Sequence, residues 1–204
     1  MTTAISKKIL TLETLPGIKK IVMLERASST QEVARELALH GDMENTLVIA
    51  LTQDCGKGRM GRVWESGPGG IYMTLILQPC IGLRFLADLS LLAGRVTADT
   101  LQGLYGISTR VKLPNDVYAL HPRKNKYLKI AGVLTGSSSI NKTSNWILLG
   151  IGVNLNNRVP LDTAVSVSSI LRKEVSLEEF LQAFFKNFWH LYSAWEYSSE
   201  SKSV

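Results

Sequence analysis

The sequence predicts one compact domain that combines helices with a mostly antiparallel set of strands, and three observations predict it. The 204 residues, 45% of them apolar, suffice for one sizeable core but not for two ordinary domains and a linker. Apolar residues recur at helical spacing in three stretches, and between these lie short β-branched runs bounded by glycine, proline and polar residues. The longest apolar runs are strand-sized, well short of the roughly 20 residues of a membrane span.

Each element carries its own signal. Ser28 to His40 reads as a helix: Ser29 and Glu32 stand at capping-box spacing, Val33, Ala34, Leu37 and Ala38 form an apolar stripe, and Gly41 supplies a left-handed stop. Thr46 to Thr52 and Ile71 to Leu77 read as buried strands, with Gln53 to Gly70 a loop between them. Leu83 to Tyr105 repeats Leu86, Leu89, Ala93, Val96, Leu101 and Leu104 as a core-packed helix does. Arg110 to Lys112, Lys129 to Leu134 and Trp146 to Ile151 read as strands of a mostly antiparallel region. Ser176 and Glu179 cap a last helix, to Glu196, whose Phe180, Phe184, Phe188, Leu191 and Trp195 are read as core packing. The polar stretch Ser198 to Val204 is expected to fray.

Composition narrows the function. Cys55 and Cys80 lack CxxC spacing, and His40, His121 and His190 are scattered, so neither a disulfide framework nor a zinc site is indicated. Lys7 and Lys8 precede an apolar stretch broken by Glu13 and Pro16, which is no signal-peptide core; a reducing cytoplasm is expected. A net charge of +6 suits a nucleotide, an acidic protein or another polyanion, without choosing among them.

Gly56-Lys57-Gly58-Arg59-Met60-Gly61 follows a strand and satisfies the dinucleotide pattern G-x-G-x-x-G. A dinucleotide turn opens a helix, however, whereas Val63 to Gly70 contains Pro68 and three glycines and leads into another strand. Nor do the glycines precede the Lys-Ser or Lys-Thr of a P-loop. Three cations, Lys57, Arg59 and Arg62, on a glycine framework suit a phosphate or carboxylate. A basic surface loop with incidental glycines is an equal reading at this point.

Three ordered segments shift that balance: Gln53-Asp54-Cys55-Gly56-Lys57-Gly58-Arg59-Met60-Gly61-Arg62-Val63-Trp64, Lys112-Leu113-Pro114-Asn115-Asp116, and Lys129-Ile130-Ala131-Gly132-Val133-Leu134. Together they resemble the biotin protein ligase family, as do Ser29-Thr30 before the first helix and Gly150-Ile151-Gly152-Val153-Asn154. The likeness runs from about Ile21 to Asn157.

The resemblance implies an α+β catalytic domain with a mixed, largely antiparallel sheet flanked by helices, related to class II aminoacyl-tRNA synthetases. It implies ATP and biotin as substrates with Mg2+, a biotinyl-5′-adenylate intermediate, and transfer to a lysine of a biotin carboxyl carrier protein. Lys129 and Arg59 are implied as the catalytic cations. Anion must meet anion in such a reaction, so fixed positive charge is needed where charge builds up. Ser29, Thr30, Gln31 and Gln53 are implied as biotin contacts, with Lys57, Gly58, Tyr72, Gly132 and Gly152 completing that pocket. Arg62, Trp64, Lys112, Asn115, Asp116 and Asn154 are implied as nucleotide contacts, Asp116 also reaching the magnesium of Mg-ATP.

Three departures stand out: Lys57 where the family usually has arginine, Leu113 where tryptophan is common, and Gly136 where an acidic residue often follows the third motif. Residues 1–197 are expected to form the single catalytic domain, without an N-terminal DNA-binding domain or a C-terminal β-barrel. Neither DNA nor a membrane is an expected partner, and a homodimer is left open. Two other functions compete: lipoate or octanoate attachment, which shares the fold and a lysine near an Ala-Gly motif, and a nucleic-acid-binding module suggested by charge. The basic loop lacks the interleaved aromatics that stacking on bases requires, which argues against the latter.

Overall fold

The computed structural model describes residues 14–41, 44–79, 86–140, 144–160 and 162–200. In chain order the elements are β1 (Lys20–Ala27), α1 (Thr30–Leu39), β2 (Thr46–Gln53), β3 (Ile71–Leu77), α2 (Leu86–Tyr105), β4 (Thr109–Lys112), β5 (Asp116–His121), β6 (Lys126–Ile140), β7 (Ser144–Val153), α3 (Val167–Leu171) and α4 (Leu177–Glu200). Seven strands make one sheet in the order β1-β2-β3-β7-β6-β5-β4. Only β1 and β2 run parallel, joined by the crossover helix α1 that a parallel pair needs.

Each face of the sheet has its own apolar cluster, which explains why β2 and β3 are apolar continuously rather than alternately. On one face Leu24, Ala27, Val48, Ala50, Ile76, Trp146 and Leu148 pack under α1. Ala34 and Ala38 bring that helix close because they have almost no side chain to keep it away. On the other face Leu47, Ile49, Met73, Leu75, Leu149 and Ile151 meet α2 and α4. From α4, Phe180, Phe184 and Phe188 stack at centroid distances of 6.2 and 5.8 Å, with Phe185 edge-on at 5.2 Å from Phe184.

The structure corrects several details. Ser29 does cap α1, its Oγ accepting from the Gln31 N–H at 3.3 Å. Glu32 makes no capping box: its carboxylate accepts from Ser28 Oγ at 2.7 Å and pairs with Lys57 at 2.6 Å, a cation being a better partner than a backbone amide. Leu191 is 38% exposed, and the neighbouring Tyr192 is buried in its stead. Helix α4 continues to Glu200, three residues into the stretch expected to fray, and 201–204 lie outside the described residues. Leu83, the expected start of the second helix, and Cys80 also lie outside them.

Candidate active site

Strands β3, β7 and β6 build the floor of the site. Their register sets Tyr72 and Gly132 on either side of Gly152, and Thr74 and Leu134 on either side of Gly150, all on the α1 face of the sheet. Glycines at the centre of this row leave a trough where side chains would otherwise stand. A Cβ at Gly152 would lie 2.6 Å from the Trp64 indole, and one at Gly150 would lie 2.3 Å from Gln31 Nε2. The close approach of those two side chains to the sheet therefore requires glycine.

The loop after β2 folds back as a small hairpin. Lys57 and Val63 form an antiparallel bridge, Gly58 N–H donates to the Arg62 carbonyl at 2.7 Å, and Trp64 N–H donates to that of Gly56 at 2.8 Å. At the tip Met60 and Gly61 have φ of 56° and 71°, which turns the chain within three residues. Trp64 is thereby swung over Gly132 and Gly152, and Arg59 over the mouth of the trough.

The cavity so enclosed measures about 120 Å³. Four cations line it, Lys57, Arg59, Arg62 and Lys129, against one carboxylate, Asp116. Lys129 Nζ lies 2.7 Å from Asp116 Oδ1 and 5.2 Å from the centre of the Trp64 ring. Arg59 Nη1 donates to Asn115 Oδ1 at 3.1 Å, and Asn115 Nδ2 is held by the Val133 carbonyl at 2.8 Å. The loop and β6 thus direct their cations to one place, steadied by adjacent residues of the β4-β5 hairpin. Leu113-Pro114-Asn115 makes that turn and Asp116 opens the strand, so turn chemistry and ligand-facing position coexist there.

Ser29, Thr30, Gln31, Gln53, Gly58, Tyr72, Gly132 and Gly152 line the same cavity. Tyr72 donates its hydroxyl to the Gly67 carbonyl at 2.6 Å, and burial pushes its pKa well above the usual tyrosine range, keeping it a neutral donor. Gln31 Nε2 reaches the carbonyls of Leu134 at 3.1 Å and Leu148 at 3.4 Å, closing the far end of the trough. Lys57 sits at the rim with its ammonium on Glu32.

Two residues expected as nucleotide contacts lie outside this cavity. Lys112 is exposed, 5.5 Å over the Tyr118 ring, outside the cavity lining. Asn154 is buried on the far side of Trp64, its Oδ1 accepting from Asn157 Nδ2 at 3.0 Å. There it borders a second hollow of about 210 Å³, walled also by Val159, Pro160, Thr163 and Ala164. Val63, Trp64 and Lys129 line both spaces, so the indole is the partition between them. The wall formed by Val159, Pro160, Thr163 and Ala164 carries no motif and escapes a reading of the sequence; it reaches the site by pairing with Lys129, whose N–H donates to the Thr163 carbonyl at 3.2 Å. Gly150 is detectable in retrospect, because it stands two residues from Gly152 on one strand and so shares its face.

A mixed sheet with a glycine-floored trough, a cationic hairpin above it and a second hollow beyond an indole defines a synthetase-like α+β domain. More particularly, the chain belongs to the biotin/lipoate A/B protein ligase family, whose model matches residues 23–154. The bifunctional ligase/repressor BirA of Bacillus subtilis is 39% identical over 132 residues, covering 64% of this chain and 39% of that protein. Human biotin–protein ligase is 33% identical over 149 residues, covering 70% of this chain and 20% of that one. A biotin protein ligase from Aquifex aeolicus, solved in complex with biotin and ATP, superposes with a TM-score of 0.76 at 29% identity, over 89% of this chain and 74% of that one. The chain therefore spans about two fifths of the length of its Bacillus relative.

Proposed function

We propose that this chain carries the catalytic chemistry of a biotin protein ligase, making biotinyl-5′-adenylate from biotin and ATP and passing the biotinyl group to a lysine of a biotin carboxyl carrier domain. The observation that carries this reading is the convergence of Arg59 and Lys129, from a loop and a strand, on one cleft that continues past Trp64 into a second chamber. The solved relative from Aquifex aeolicus, which holds biotin and ATP together, supports the pairing of two ligands.

In the first step a carboxylate oxygen of biotin bonds to the α-phosphorus of ATP, and the bond from that phosphorus to the bridging oxygen breaks, releasing pyrophosphate. Both reactants are anions, so Lys129 at the partition and Arg59 above it reduce their repulsion and stabilise the charge that grows on the phosphoryl oxygens. Anion binding draws Lys129 from Asp116 and Arg59 from Asn115. Asp116 is a single carboxylate, and among the described residues no group of three or more acidic, His or Cys side chains could hold a metal by itself. One carboxylate completed by ATP phosphates suits Mg2+, which would neutralise the leaving pyrophosphate. In the second step the acceptor amine bonds to the acyl carbon, loses a proton, and AMP departs.

The trough under Trp64 is proposed to take biotin and the 159–164 side the nucleoside, with Asn154 facing the latter. Lys112 is left as a contact for the outer phosphates alone. The exposed free thiol of Cys55 suits the cytoplasm, and no helix of the described residues is long and apolar enough to cross a membrane.

Biotin-dependent release of pyrophosphate from ATP, followed by labelling of a carrier domain, tests the proposal. Lys129→Ala and Arg59→Ala are expected to lower adenylate formation by at least about a hundredfold each, with unchanged circular dichroism. Pyrophosphate release that needs lipoate or octanoate instead of biotin would replace this reading with the neighbouring one.

A further inference from the structure

Ser66 lies behind the cavity wall and has no place among the residues that line it. It is buried, and its hydroxyl has two partners: it donates to the Trp64 carbonyl at 2.9 Å and accepts from Gln53 Nε2 at 2.7 Å. A hydroxyl has one proton, so with that proton on Trp64 the Ser66 oxygen can only accept. At the other end of the Gln53 amide stands the Thr30 backbone N–H, which can only donate, 2.8 Å from Oε1. Both ends orient the amide alike, nitrogen toward Ser66 and oxygen toward Thr30 and the cavity.

The direction propagates. Thr30 Oγ1 donates to Gln53 Oε1 at 3.2 Å and itself receives the proton of the Thr74 hydroxyl at 2.9 Å. Its only proton is thus already committed, and what Thr30 and Gln53 turn to the cavity are acceptor oxygens. Gly56 makes room for the relay: a Cβ there would lie 2.3 Å from the Trp64 carbonyl oxygen, 2.6 Å from Ser66 Oγ and 3.0 Å from Gln53 Nε2.

We propose that Ser66 is a positioning residue that sets the hydrogen-bond polarity of this end of the cavity, making it select a ligand head that donates N–H groups. This rests on the biotin ligase reading and deepens it, because a cyclic urea offers two such donors whereas a hydrocarbon or dithiolane end offers none. Gln53 Oε1 already accepts from the Thr30 N–H and hydroxyl, and Thr30 Oγ1 from Thr74, so a hydrophobic end group would meet acceptor oxygens alone and leave the second lone pair of Thr30 Oγ1 dry, which is how a buried polar site rejects an analogue that lacks its donor.

Calorimetric titration of the wild type, Ser66→Ala, Ser66→Cys and Ser66→Thr tests it, with biotin, ureido-N-methylated biotin, octanoate and ATP as probes. The wild type is expected to prefer biotin to the methylated analogue. Ser66→Ala is expected to bind biotin roughly tenfold more weakly while the analogue and ATP are unaffected, so that discrimination collapses. Ser66→Cys, nearly isosteric but a poor acceptor, is expected to fall between, and Ser66→Thr to restore wild-type preference. Unchanged biotin affinity in folded Ser66→Ala and Ser66→Cys proteins overturns the relay and leaves the ligase reading standing. Parallel losses for biotin and ATP, or no recovery with threonine, also overturn it. A wild type that prefers octanoate to biotin overturns both.

Discussion

The environment of Trp64 shows how much one side chain decides here. The indole lies across Gly152 and Gly132, forms the wall between two chambers, and keeps its Nε1 buried without a hydrogen-bond partner. A buried N–H left unpaired is unfavourable by roughly 1–3 kcal/mol, so this position of the ring is one that a ligand with an acceptor can improve. Gly152→Ala puts a methyl 2.6 Å from the indole, and the ring, being a side chain at a loop end, must yield before the strand does. The expected outcome is a ligand affinity at least about tenfold lower, equivalent to about 1.4 kcal/mol, with little change in thermal stability. Titration of biotin against tryptophan fluorescence checks the first part and a melting curve the second. A substitution that leaves affinity intact would mean that the indole does not border the ligand.

At the scale of elements, helix starts separate stability from function. Ser176 caps α4 through the Glu179 N–H at 3.2 Å, far from the trough, whereas Ser29 caps α1 and also lines the cavity. Each serine-to-alanine change should cost about 1 kcal/mol of stability. Only Ser29→Ala should also weaken biotin binding, which parallel melting and binding measurements on the two variants would show.

Both caps were legible in the sequence, as were α2, β2 and β3, because local chemistry and a clear period mark them. What escaped depends on distant partners. β1, with Lys20, Glu25 and Arg26 in it, is a half-exposed edge strand whose identity comes from pairing with β2, and β5 begins inside a motif that reads as a turn. The candidate site was legible wherever glycines and cations sit in ordered motifs. Membership of a motif did not give side-chain direction, however, so Lys112 was expected in a cavity that it does not line. The residues that wall the second hollow here, Val159, Pro160, Thr163 and Ala164, are apolar or neutral, and nothing local announces that Thr163 and Val165 will flank Lys129.

The whole molecule divides its labour between the two faces of one sheet. α2 and α4 seal the first face with the aromatic cluster, and the trough occupies the other, where the glycines of β6 and β7 give up packing to make space. A domain of this kind has roughly 5–15 kcal/mol of net stability, so the sealed face must compensate for the hollow one. Phe184 is fully buried and touches the rings of Phe180, Phe185 and Phe188; truncating it should cost about 3–5 kcal/mol through lost transfer energy and the cavity left behind. Its effect on the ligand should be small, because β3 and β7 intervene and interiors resist local collapse. Phe184→Ala is therefore expected to lower the melting temperature markedly while biotin affinity, measured well below the transition, stays within about twofold. Combined with Gly152→Ala, the two changes should add, one moving stability and the other affinity. A double variant whose binding is far weaker than that sum would show that packing under the sheet shapes the trough above it, and that the two faces do not act independently.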